Sequence, residues 1–204
     1  MKRLPFLIVF SLLFLTSFLG ASLAADSPSI SKNNIIYGKF SQQRFLSGFD
    51  TPFNSQGEYY LLPGKGIIWD LIHPFQSRLI ITSTRMTQIV DQKEEDIQGA
   101  SEVARLIVDL ITPLLSSNLS ALDKNFIVSE ISPKGATHTW SLNLIPKSET
   151  LNLVITDITA SGGDELKQII IRKKDNDKDI IQFSEQVTNQ IGDQDVLKLF
   201  GSEG

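Results

Sequence analysis

The residues of this chain that could do chemistry are few, and their neighbours do not support it. His73 precedes a proline at the end of a strand-like run, and His138 opens another. Neither has a second imidazole, thiol or carboxylate at metal-ligand spacing, so both read as turn or surface residues. Asp175-Asn176-Asp177-Lys178-Asp179 sets acids at alternate positions, as a calcium loop begins. Its sixth position is Ile180, where such a loop turns on glycine, and its twelfth is Gln186, where a bidentate glutamate closes the shell. The segment therefore reads as a solvated hairpin turn. Asn118-Leu119-Ser120 has the form of a glycosylation acceptor, for which a helix cap is the simpler reading. The sequence has no cysteine, which excludes disulfides, thiol nucleophiles, thiolate metal sites and a lipid-bearing cysteine. It also has no Gly-x-Ser-x-Gly elbow, phosphate loop or dinucleotide glycine pattern. The expectation is a protein that is not an enzyme, with no catalytic residue, no metal and no cofactor. Acids such as Asp70 and Asp157 read as solvated strand positions.

What the chain has in surplus is aromatic and apolar. Phe40, Phe45, Phe49 and Phe53 are followed by Tyr59, Tyr60, Trp69 and Phe75. Any one of them suits a core, and as a set they also suit an apolar cavity. Composition alone leaves both open.

The elements that would position these residues follow from the periodicity. Residues 25–34 form a polar lead-in, and 35–45 are a short strand or a helix end running into one. Residues 57–62 and 67–72 are β-rich runs split by Pro63-Gly64-Lys65-Gly66, which is turn chemistry, so they read as a hairpin ended by His73-Pro74. Residues 77–91 read as two more short strands. From Glu94 to Leu115 the apolar positions Ile97, Ala100, Val103, Ala104, Ile107, Leu110, Ile111 and Leu114 fall at helical spacing. Pro113 should end or kink that helix, and 118–122 read as a short capped one. Period two then returns. Trp140, Leu142 and Leu144 share one face, as do Leu151, Leu153 and Ile155. Two last strands follow the turn at 161–164 and flank the turn at 174–179. Strands, then helices, then strands predict an α+β fold: one strongly curved antiparallel sheet with helices on its open face.

The N-terminus carries an address. Lys2 and Arg3 precede an apolar run from Leu4 to Leu19, and Ser22-Leu23-Ala24 fits a small-x-small cleavage site. The run is about 16 residues, against roughly 20 for a spanning helix. Residues 1–24 are thus predicted to be a signal peptide cut after Ala24, or after Ala25, leaving one domain over 25–204 that is soluble and not tethered. The 23 acidic residues outnumber 19 basic ones, two of which lie in the leader, so nucleic acid is not an expected partner.

The residues around the first hairpin also carry a family likeness. Phe40 with Gln42 and Gln43, Gly57 opening a strand, Trp69 twelve residues later and Pro74 five after that resemble the LolA-type carriers of outer-membrane lipoproteins. The order of strands, central helix and strands with Leu142-Asn143-Leu144-Ile145-Pro146-Lys147 extends the resemblance over nearly the whole mature chain. It implies an incomplete β-barrel closed by a helical lid over an apolar cavity. It also implies a monomeric periplasmic carrier in a Gram-negative envelope. Such a carrier takes a lipoprotein or other lipidic cargo from an inner-membrane release complex to an outer-membrane acceptor. The arginine that the family places before the hairpin proline is absent here, where Leu61, Leu62 and Pro63 stand, which implies a divergent branch. On strand parity and helix face, the cavity residues are Phe40, Tyr59, Leu61, Trp69 and Leu71 from the early strands. Ile97, Val103, Ile107 and Leu110 come from the lid, and Trp140, Leu142 and Leu144 from the later sheet. The alternative is an envelope assembly or interaction protein using the same fold without a lipid.

Overall fold

The computed structural model describes residues 34–130, 139–190 and 200, so the predicted leader and His138 lie outside the described residues. The described residues form eleven strands: β1 (Asn34–Phe45), β2 (Phe53–Leu62), β3 (Gly66–His73), β4 (Ser77–Ile81), β5 (Met86–Val90), β6 (Lys93–Asp96), β7 (Phe126–Glu130), β8 (Trp140–Pro146), β9 (Ile155–Gly162), β10 (Leu166–Lys173) and β11 (Lys178–Gln190). They make one antiparallel sheet in the order β6-β5-β4-β3-β2-β1-β11-β10-β9-β8-β7. Two meanders thus run outward from the pairing of the first strand with the last, where Phe40 faces Phe183. Helix α1 (Ser101–Leu115) and a 3-10 turn (Leu119–Lys124) connect the two edge strands, and a single-turn helix α2 (Glu149–Asn152) joins β8 to β9.

The sheet bends. The rings of Trp69 on β3 and Phe183 on β11 have centroids 6.1 Å apart, although β2 and β1 lie between their strands. Across a flat sheet that separation would be roughly 14 Å. The concave face carries the main core. It gathers Ile36 and Phe40 of β1, Tyr59 and Leu61 of β2, Leu142 and Leu144 of β8, and Ile169 of β10, all against Val103, Ala104, Leu110 and Leu114 of α1. Neighbouring positions point the other way, as period two requires: Lys39, Ser41 and Gln43 of β1 are exposed. The outer face has a second, smaller cluster, where Phe200 is buried with Ile35, Leu62, Ile68 and Ile80. Gly66, at φ 153°, starts β3 there. A side chain on it would meet the Ile81 carbonyl, and the Phe200 ring takes the space instead.

The architecture is the expected α+β one: a curved, unclosed antiparallel sheet with a helix laid on its apolar face. Among the differences from expectation, β2 begins at Phe53 and not at Gly57, β7 was not expected, and two further boundaries differ. The helix begins at Ser101, not at Glu94. Lys93-Glu94-Glu95-Asp96 pairs with β5, and Ile97 donates its N–H to the Met86 carbonyl. Gly99, at φ 75°, then turns the chain into α1. The acids that resembled a first helical turn are the charges of an exposed edge strand, which protect its unpaired side. Residues 151–153 are not strand either. Ser148 caps α2, its Oγ accepting from the Leu151 N–H at 3.4 Å, and Leu153 is exposed.

Candidate ligand-binding face

Phe40 and Gly57 are cross-strand partners. Gly57 can carry no side chain, because a Cβ there would lie 1.8 Å from the Asp70 carbonyl oxygen and 2.9 Å from Cε1 of Phe40. The ring of Phe40 lies where that side chain would be, and the ring of Trp69 packs on it at 3.9 Å between centroids. Tyr59 stacks beside Trp69 at 6.3 Å and meets Phe183 edge-on at 5.5 Å. The spacing of Phe40, Gly57 and Trp69 in the sequence therefore has a physical cause: the three assemble one aromatic floor for the concave face.

Burial of α1 holds it on that floor by about 2 kcal/mol for each large apolar side chain removed from water. Such burial is not directional, and polar contacts fix where the helix sits. The Tyr59 hydroxyl, fully buried, donates to Oε1 of Gln186 at 3.2 Å, and Nε2 of Gln186 donates to the Leu115 carbonyl at 3.3 Å. One of the last-turn carbonyls of α1, which have no partner within the helix, is satisfied in this way. Burial pushes the Tyr59 phenol well above its ordinary pKa, so it stays a donor. Near the other flank of α1, Nδ2 of Asn125 donates to Asp109 at 2.8 Å, and burial raises the Asp109 carboxyl despite Lys124, Arg105 and that hydrogen bond.

The twelve residues predicted to line a cavity all fall in one cluster. Phe40, Tyr59, Leu61, Val103, Leu110, Leu142 and Leu144 are buried in it, while Trp69, Leu71, Ile97, Ile107 and Trp140 are half-buried against it. Leu79, the cross-strand partner of Trp69, is half-buried too. Trp69, Leu71 and Leu79 thus form an incompletely covered apolar stretch on neighbouring strands.

The polar end of this face was not anticipated. Asp179, read from sequence as part of a solvated turn, has no exposure at all. Its Oδ1 accepts from Nε of Arg44 at 2.7 Å and from Nε2 of Gln42 at 3.2 Å, and its Oδ2 faces the Lys173 ammonium at 3.0 Å. Burial alone would raise its carboxyl. Arg44, and after it Lys173, outweigh burial and hold it below the ordinary value. The signal was present: Asp179 is in step with Ile181 and Phe183, which point inward. Asp70 and Asp157 are likewise only partly exposed, paired with Arg78 at 2.5 Å and Arg172 at 2.6 Å. His73 is exposed, and no group of three metal-ligating side chains occurs among the described residues. A groove of about 800 Å³ runs past Lys39, Ser41, Gln56, His73, Gln182 and Ser184 on the outer face, and Phe40, Ile72 and Phe183 also line it.

The described residues thus form a curved, unclosed sheet with a helix over its apolar face. The chain belongs to the LolA family: the family model "Outer membrane lipoprotein carrier protein LolA" matches residues 31–199. Comparison with curated proteins gives no match. Among solved structures it is similar to a LolA superfamily protein from Nitrosomonas europaea, at 7% identity and TM-score 0.44, over 81% of this chain and 90% of that one. It is also similar to a chain of the MucA/MucB complex of Pseudomonas aeruginosa, at 13% identity and TM-score 0.43, over 82% of this chain and 56% of that one. This chain therefore spans little more than half the length of that relative. No helix among the described residues is long and apolar enough to cross a membrane.

Proposed function

We propose that this protein is a periplasmic carrier that shields the acyl chains of a lipoprotein, or of another lipidic cargo, and moves them between the inner and outer membranes. The observation that carries the reading is the half-buried apolar stretch of Trp69, Leu71 and Leu79, continuous with the cluster beneath α1. Acyl chains need such a surface, since each CH₂ taken out of water is worth roughly 0.8 kcal/mol. Displacement of α1 would extend the stretch over the remaining residues expected to line the cavity, from Phe40 and Tyr59 to Leu142 and Leu144. Family membership supports the same reading. No covalent step is needed, so the protein acts as a binder and not as an enzyme. Residues 1–24 serve as its export signal, and the product from Ala25 onward is free of both membranes.

Purified protein should carry extractable lipid and bind a fluorescent fatty acid. Replacing Leu71 with Arg sets a charge in the apolar stretch and should weaken probe binding at least tenfold, with the thermal midpoint little changed. A folded protein that neither carries lipid nor binds the probe would overturn the proposal. A stable envelope partner held without lipid would then favour the assembly-protein reading.

A further inference from the structure

The exposed large apolar side chains are not scattered. In a meander, alternate strand ends lie at opposite ends of the sheet, so each can be assigned to an end. The end that carries the β1–β2, β3–β4, β5–β6, β8–β9 and β10–β11 connections is called the upper rim here. Phe49 and Phe53 lie at its β1–β2 connection, 62% and 49% exposed, with rings in edge contact at 5.4 Å. Phe75, 60% exposed, lies at the β3–β4 connection. Gln56 pairs with His73, so the strands bring Phe53 and Phe75 to the same place just beyond it. Ile72 and Val90 stand at the upper ends of β3 and β5. On the far side of the opening, Ile127 and Ile145 face each other near the upper ends of β7 and β8, and Leu153 lies in the β8–β9 connection. Of nine exposed large apolar side chains among the described residues, only Val187 lies toward the other end.

We propose that the upper rim docks on the surface of a lipid bilayer. Exposed apolar side chains distributed along one whole end of the sheet suit a broad apolar partner, and a bilayer surface is one. A peptide would need them gathered in a groove. Phe49 and Phe75 lie in connections and Phe53 at the start of β2, and none carries a polar handle, which suits insertion below the headgroups. Charge on this rim is mixed, with Lys93, Lys147 and Lys174 beside Asp50, Asp91 and Asp175, so apolar contact and not an anionic headgroup supplies the attraction. Leu71 lies on the concave face two residues below the upper end of β3, and Leu79, level with Trp69, lies two positions deeper, so docking sets the apolar stretch close to the membrane. The inference deepens the carrier reading by naming the surface through which cargo enters or leaves.

The test is flotation of the purified protein with phosphatidylcholine vesicles, beside fatty-acid probe binding. The triple variant Phe49→Ser, Phe53→Ser, Phe75→Ser should lose vesicle partitioning by about tenfold per residue, equivalent to about 1.4 kcal/mol each, and keep the probe affinity of the parent. Val187→Ser should change neither. Partitioning should vary little between low and high salt. Vesicle binding unchanged in the triple variant, absent in the parent, or lost on adding salt would overturn the docking surface. So would concentration-dependent self-association abolished by the same triple variant, which would assign the rim to a second copy of this chain. Absence of probe binding in the parent, with its vesicle partitioning intact and lost in the triple variant, would sink the carrier reading and leave docking standing.

Discussion

The two faces of β1 are built from one strand and obey opposite rules. Ile36, Phe40 and Gln42 point to the concave face and are at most 7% exposed, while Lys39, Ser41 and Gln43 point outward and are in contact with water. On the concave face a change of one atom alters packing under α1. On the outer face it alters a solvated groove. Where the inner face is polar it is also fully paired: Asp179 has Arg44, Lys173 and Gln42. The outer ion pair of Lys39 with Glu185, at 2.6 Å, joins two side chains that are both more than half exposed. The pairs are close in length and differ in environment, so the environment decides what each is worth.

The largest expected effect is therefore at Asp179. Asp179→Asn removes the buried carboxylate that pairs with both Arg44 and Lys173, and should cost about 3–5 kcal/mol in urea unfolding near neutral pH. The sign with pH follows from linkage. The folded carboxyl lies below its unfolded value of about 3.9. Its stabilisation is present in full above that value and is lost as pH falls through the folded pKa. The gap between parent and variant should hold from neutral pH down to about pH 5 and narrow below pH 4. A gap that stayed constant down to pH 2 would mean that the Asp179 charge is not what matters there.

A smaller effect sharpens the comparison within the concave face. Tyr59→Phe removes the hydroxyl that holds Gln186, and with it the relay to the Leu115 carbonyl. The loss should be about 1 kcal/mol in stability. Because the relay fixes the C-terminal end of α1, amide exchange should quicken in that helix and little elsewhere. Uniform quickening across the sheet would show that Tyr59 acts as plain core.

Legibility from sequence divides along the same faces. The first hairpin, its turn and the two strands that follow were visible because alternation is strong there and Pro63-Gly64 punctuates it, whereas 35–45 read as a short strand or a helix end running into one. The helix core from Val103 to Leu114 was visible for the corresponding reason. Its start was not, because Ile97 and Ala100 happen to fall at helical spacing although Gly99 breaks the chain between them. Leu151 and Leu153 alternate like strand residues, but the Ser148 cap turns them into a helical turn, a local hydrogen bond that period counting does not see. The closure of the first strand on the last joins residues about 150 positions apart; no local pattern encodes it. Phe40, Gly57 and Trp69 could be named as a set, yet their reason is a missing Cβ and two rings in contact. Asp179 was missed because charge suggested solvent more loudly than parity suggested the interior.

The smallest effect tests the outer face. Lys39→Ala removes the ion pair with Glu185 and a long side chain from the outer groove. The Lys39 ammonium pKa is raised, first by its hydrogen bond to Glu185 and then by the carboxylate charge of that residue. Contact is not the same as stabilisation. Water screens both partners, and ordering two long side chains offsets most of what remains, so such pairs commonly contribute little. The thermal midpoint should shift by about one degree or less, and less still in high salt. A loss as large as that of Asp179→Asn would break the comparison outright. It would mean that Lys39 and Glu185 are shielded from water in solution, and that the outer groove is covered by something as the concave face is covered by α1.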